Sequence, residues 1–203
     1  MYPSVLHLGL KMSNYLYGLF RLPLLLYAGW GIWLGWVISL FKWRAKIHRF
    51  KPENRESIII LMDVSASTLP FRSRLANAAE SDFESYLYRV TPNSTVTFFD
   101  QKIVHEIPLH GIVNLSDALK ELSGGQTNIA GALEFAITKL STMPRPGTIL
   151  LYTDGQDSFD VESVSDRMKQ EGLSITVKEA NNSNQETPLY KLAQLIGGQY
   201  YRI

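Results

Sequence analysis

Apolar positions follow two regimes along the chain. From Leu22 to Phe41 they run almost unbroken and no charged residue interrupts them. Beyond Ser57 they come in short blocks of strand length or recur at helical spacing. Ile58-Ile59-Ile60-Leu61-Met62 is wholly apolar and reads as a strand, Ser57–Asp63, buried on both faces in the middle of a parallel sheet. Leu75, Ala78, Ala79, Phe83, Tyr86 and Leu87 give Arg74–Arg89 a helical period, which Pro92-Asn93 breaks. Thr95–Phe99 and Lys102–Ile107 are strands joined by a turn too short for a crossover, so they pair antiparallel.

Helices are expected over Leu115–Leu122, with Ser116 or Asn114 as cap, and over Ile129–Leu140, Val161–Glu171 and Leu189–Ile196. Strands are expected over Thr148–Thr153, Leu173–Lys178 and Gln199–Ile203. Strands alternating with helices predict an α/β fold, a Rossmann-like doubly wound and mostly parallel sheet.

The run 22–41 is about the length that crosses a bilayer as a helix. Trp30, Trp33, Trp36 and Trp43 lie in or beside it, as aromatic residues do at membrane interfaces. A buried core helix is the competing reading. The basic flank Lys42, Arg44, Lys46, Arg49 and Lys51 favours the membrane and puts the C-terminal side in the cytoplasm. A cleaved signal peptide fits poorly, because no Ala-x-Ala site follows the run. The expectation is a single-pass anchor in the cell inner membrane. Residues 1–21 form an apolar interfacial segment, 22–41 the transmembrane helix, 42–55 a basic linker and 56–203 the folded domain. Gly31 and Gly35 form a Gly-xxx-Gly pair suited to close helix packing in a larger membrane assembly.

Charge sharpens this division. Residues 1–55 hold eight Lys/Arg against one acid, and residues 56–203 hold twelve against eighteen. An acidic folded part argues against nucleic acid. With no cysteine in the chain, disulfides, thiolate metal sites and a cysteine nucleophile are excluded.

Candidate chemistry lies where the first strand ends. Asp63-Val64-Ser65-Ala66-Ser67 places three oxygen-bearing side chains at alternate positions of the loop, at the strand end where open α/β sheets bind ligands. An oxygen-only donor set suits Mg²⁺ or Mn²⁺ rather than Zn²⁺. A plain turn is the competing reading. Two more loops are expected at the same sheet edge: Gly124-Gly125-Gln126-Thr127, and Thr153-Asp154-Gly155 after a buried strand.

Together, Asp-x-Ser-x-Ser, a Thr after Gly-Gly and Thr-Asp-Gly resemble the metal-ion-dependent adhesion site of von Willebrand factor type A domains, over about residues 56–203. Ser123–Leu133 and Leu192–Tyr201 look most like bacterial members, the membrane-anchored Bat-type aerotolerance proteins and the integrin-like domain of magnesium chelatase. The resemblance implies that Ser65, Ser67 and Thr127 touch the metal while Asp63 and Asp154 hold its waters. The ion would then take an Asp or Glu of a protein partner as its last ligand. Asp157 and Asp160 fit a solvated helix N-terminus better than a second cation site.

No Gly-x-x-x-x-Gly-Lys, His-Glu-x-x-His or Gly-x-Ser-x-Gly occurs, and His7, His48, His105 and His110 have no ligand spacing. An enzyme is therefore not expected. Four readings follow. The first is a membrane-anchored, metal-dependent protein-binding module. The second is an adaptor for a MoxR- or chelatase-type AAA+ ATPase. The third is a small structural subunit of a membrane assembly. The fourth, a metal-activated hydrolase, lacks a general base.

Overall fold

In the computed structural model, the described residues are 55–86, 89–111, 115–120, 122, 124–181 and 186–203. All belong to the unit Pro52–Ile203. The transmembrane helix expected at 22–41, with Gly31 and Gly35, lies outside them. Among the described residues no helix is long and apolar enough to cross a membrane. The single-pass anchor, the inner-membrane location and the cytoplasmic orientation have no structural support and drop out of the account.

Six strands form one sheet: β1 (Ser57–Asp63), β2 (Thr95–Phe99), β3 (Ile103–Pro108), β4 (Gly147–Thr153), β5 (Leu173–Glu179) and β6 (Gln199–Arg202). Their order is β3-β2-β1-β4-β5-β6, and only the β2–β3 pair is antiparallel. The order reverses between β1 and β4, which pair from Ser57↔Gly147 to Met62↔Tyr152. Their carboxyl ends therefore flank the switch point where such sheets leave a crevice.

Helices cover both faces. α1 (Arg72–Tyr86) and α2 (Leu115–Lys120) lie on one; α3 (Ile129–Ser141), α4 (Val161–Gln170) and α5 (Pro188–Ile196) lie on the other. Side chains of β1 alternate between the layers: Ile58, Ile60 and Met62 join Leu75 and Ala79 of α1, while Ile59 and Leu61 join Leu133 and Ile137 of α3. All five are fully buried, which explains an apolar run without polar alternation.

Element ends follow local chemistry. Asn128 caps α3 by accepting the Gly131 N–H at 2.8 Å, and Asp160 caps α4 through the Ser163 N–H at 3.1 Å. Thr187 and Pro188 open α5, and Gly197 closes it at φ +66. At the start of α2, the Leu115 N–H donates to Glu80 of α1 at 3.1 Å, and the cap expected at Ser116 or Asn114 lies outside what the structure describes. The first helix begins at Arg72 rather than Arg74, because Ala66–Phe71 forms a 3-10 turn leading straight into it.

Candidate functional site at the carboxyl edge

Asp63 ends β1 and is buried. Its Oδ1 accepts the Ser65 N–H at 2.9 Å, and its Oδ2 accepts the Thr153 hydroxyl at 2.6 Å. Burial pushes the carboxyl above its ordinary range; the bonds from Ser65 and Thr153 oppose the rise, and the charge of Asp154 adds to it. Ser65 and Ser67 share a hydrogen bond at 3.0 Å between their hydroxyl oxygens. Thr68 turns its hydroxyl back to the carbonyls of Asp63 and Ser65 and closes the loop.

The second loop is pinned to the first. The Ala66 N–H donates to the Gly125 carbonyl at 2.9 Å. A Cβ on Gly124 would lie 1.7 Å from the Val64 carbonyl oxygen, so this glycine is there for close backbone approach. Asp100 at the end of β2 accepts the Gly125 N–H at 3.2 Å, and its carbonyl accepts the Asn128 N–H at 2.9 Å. Asp157 accepts the Ile129 N–H at 2.7 Å, so it serves the start of α3 and not the helix that follows it in sequence.

Arg72 ties the first loop to α2. It donates to the Val64 carbonyl at 2.7 Å, and to the carbonyls of Leu119 and Leu122 at 3.3 and 2.6 Å. Burial lowers its pKa, and Asp63 opposes that.

Asp154 follows β4 and is 1 % exposed. Its Oδ1 accepts the Gln156 N–H at 3.3 Å, while its Oδ2 is buried with no hydrogen-bond partner. Ala66, Ser67, Gly125, Gln126, Thr127 and Gln156 line an open cleft of about 400 Å³. Asp63, Ser65, Ser67 and Asp154 thus gather at the β1–β4 switch point, and Thr127 shares the cleft with Ser67.

The expected Mg²⁺ or Mn²⁺ does not survive this geometry. Among the described residues no group of three or more His, Cys, Asp or Glu side chains could hold a metal ion. Both oxygens of Asp63 and one of Asp154 accept hydrogen bonds from the chain's own N–H and O–H groups. The metal-bridged contact to an acidic partner residue falls with the ion.

Several contacts at this edge were not legible in the sequence. Thr153 meets Asp63 only through the β1–β4 register. Glu179 is fully buried at the end of β5 and accepts hydrogen bonds from Asn181, Thr187 and Tyr200 at 3.0, 2.8 and 2.9 Å. Gly155, at φ +74, passes directly over it, and a Cβ there would come within 2.5 Å of the Glu179 carboxyl.

The family model for the von Willebrand factor type A domain matches residues 57–202. No curated protein matches the chain. Two structures of proximal thread matrix protein 1 from the mussel byssus resemble it at 18 % identity and TM-score 0.52. They cover 73 and 74 % of this chain and 41 and 42 % of their own. The human COPII-coat protein Sec24c aligns at 12 % identity and TM-score 0.47, over 74 % of this chain and 29 % of its own. The chain thus spans less than half the length of these structures, and the likeness concerns the fold alone. None of these matches is a Bat-type protein or a magnesium chelatase, and the expected membrane-anchored bacterial subfamily finds no support.

Proposed function

Because the chain belongs to the von Willebrand factor type A family, we propose that it is an adaptor or structural subunit that holds a partner protein against the carboxyl edge of its sheet. Domains of this family are protein-interaction modules, and the chain is a binding domain rather than an enzyme. The observation that carries the proposal is the cleft at the β1–β4 switch point. Its walls come from separate loops locked together by the Ala66–Gly125 backbone bond, so the surface is preformed. Leu69 is 57 % exposed on the 3-10 turn Ala66–Phe71, which also carries the cleft residues Ala66 and Ser67, and offers an apolar anchor. Asp63, Ser65, Ser67, Thr127 and Asp154 are the contact and supporting residues, without a metal. An AAA+ ATPase as the partner is the adaptor form of this reading, and would show as ATP-sensitive retention.

The test is affinity purification of the full-length chain in chelator, as wild type, as Thr127→Trp to fill the cleft, and as Arg167→Ala on α4. The expected result is a partner retained by wild type and by Arg167→Ala and lost from Thr127→Trp. Retention by the filled cleft, or loss on chelation alone, would contradict it.

A further inference from the structure

We infer that two copies of this chain pair through β6, antiparallel about a two-fold axis at Tyr201, and so join their sheets into one. Among the described residues no strand lies beyond β6, which ends the sheet on one side. The Ile203 N–H donates to the Glu179 carbonyl of β5 at 3.1 Å, and Lys178 pairs with Tyr201. By strand alternation Tyr201 also turns its N–H and C=O toward β5, while Tyr200 and Arg202 turn theirs to the outer side. The opposite edge of the sheet is guarded: β3 meets a register shift at Phe98/Phe99, ends on Pro108 and carries the Glu106–Lys139 ion pair. β6 has no proline, no acid and no register shift. Three large apolar side chains are exposed among the described residues, and two of them belong to this side: Tyr201 of β6 at 46 % and Leu195 of α5 at 40 %. α5 lies against β6, with the Tyr190 and Tyr200 rings edge to face at 5.3 Å.

The strand's own sequence selects a second copy as the occupant. Gln199-Tyr200-Tyr201-Arg202, laid antiparallel on itself about Tyr201, sets Tyr200 opposite Arg202 of the second copy in two hydrogen-bonded pairs. Tyr201 meets Tyr201 of the second copy in the closer, non-hydrogen-bonded pair between them. The first pairing puts a cation by an aromatic ring and the second puts two aromatic rings together; no like charges stand directly opposite. The side chains are already held within one chain. Lys178 Nζ lies 5.8 Å from the centre of the Tyr201 ring, and the Tyr201 hydroxyl donates to Gln199 at 3.1 Å. The Tyr200 hydroxyl donates to the buried Glu179 at 2.9 Å. Pairing therefore costs little further ordering. Because the two β6 strands run in opposite directions, the two clefts open at opposite edges of the joined sheet.

The test uses the purified full-length chain, which contains no cysteine. Tyr201→Cys should form an intermolecular disulfide under mild oxidation, because position 201 faces itself at about 4.5 Å between Cα atoms. Tyr200→Cys and Arg202→Cys should each stay unlinked alone and link to each other when mixed, which fixes the register. In sedimentation equilibrium, wild type should show a monomer–dimer equilibrium, and Tyr201→Lys, which sets two ammonium groups opposite each other, should lose the dimer. A monomer at every concentration, a dimer that survives Tyr201→Lys, or equal self-linking at positions 200, 201 and 202 would overturn the inference. So would a photoreactive residue at Tyr201 that captures a different protein in living cells in place of a second copy.

Discussion

Thr153 donates its hydroxyl hydrogen to Asp63 Oδ2 at 2.6 Å, while its oxygen accepts the Gly155 N–H at 3.1 Å. One buried side chain thus joins the end of β1 to the turn after β4. Thr153→Val keeps the shape and removes the donor, leaving Asp63 Oδ2 without a partner. The expected cost is about 1–3 kcal/mol, read as a lower urea midpoint at neutral pH, and Thr153→Ser should recover most of it. An unchanged midpoint in Thr153→Val would show that the bond does not hold the edge together.

Asp63 itself sets a pH dependence. Burial raises its native-state pKa above the ordinary 3.8. An acid with a raised native value binds its proton more tightly folded than unfolded. Its contribution to stability is therefore fully present below the unfolded value and is lost as pH rises through the native one. Asp63→Asn should gain stability relative to wild type between pH 4 and pH 7, measured by urea unfolding across that range. Parallel curves for the two proteins would rule this out.

Adjacent glycines should respond differently. Gly124→Ala drives a Cβ into the Val64 carbonyl, whereas Gly125→Ala meets its nearest atom, Asp100 Oδ2, at an ordinary 3.5 Å. The first should lose at least about 2 kcal/mol and the second well under 1. Thermal unfolding of the two variants checks the contrast.

The other face of the sheet carries a second, half-buried network. Tyr152 donates to Asp82 Oδ2 at 2.5 Å, and Lys178 donates to Asp82 Oδ1 at 2.8 Å. Burial first, then the bond to Asp82, raise the Tyr152 phenol far beyond its ordinary range. In an alkaline absorbance titration Tyr152 should ionise only as the protein unfolds. Asp82→Ala strands the buried Tyr152 hydroxyl and should cost about 1–3 kcal/mol, against a smaller loss for Tyr152→Phe.

The fold was legible because its signals are local. Ile58–Met62 declares a strand buried on both sides, and Pro188 with Gly197 brackets α5. The Asp-x-Ser-x-Ser loop was legible as a candidate site because it follows such a strand. What was not legible depends on register and close approach. Thr153 reaches Asp63 only when β1 and β4 pair. Glu179 looks like an exposed charge until Asn181, Thr187 and Tyr200 close on it. Gly124 reads as a flexible residue, and its reason lies in a carbonyl sixty residues earlier in the chain. The metal expectation was drawn from sequence spacing, and it is overturned because no group of three or more His, Cys, Asp or Glu side chains among the described residues could hold an ion.

The most direct measurement of the central claim is photo-crosslinking in living cells, with a photoreactive residue placed at Thr127, at Gln156 or at Lys169 of the full-length chain. Crosslinks to one partner protein from Thr127 and Gln156, and none from Lys169 on α4, are the predicted result. A partner captured from Lys169 but not from the two cleft positions would move the interaction off the carboxyl edge and contradict the account.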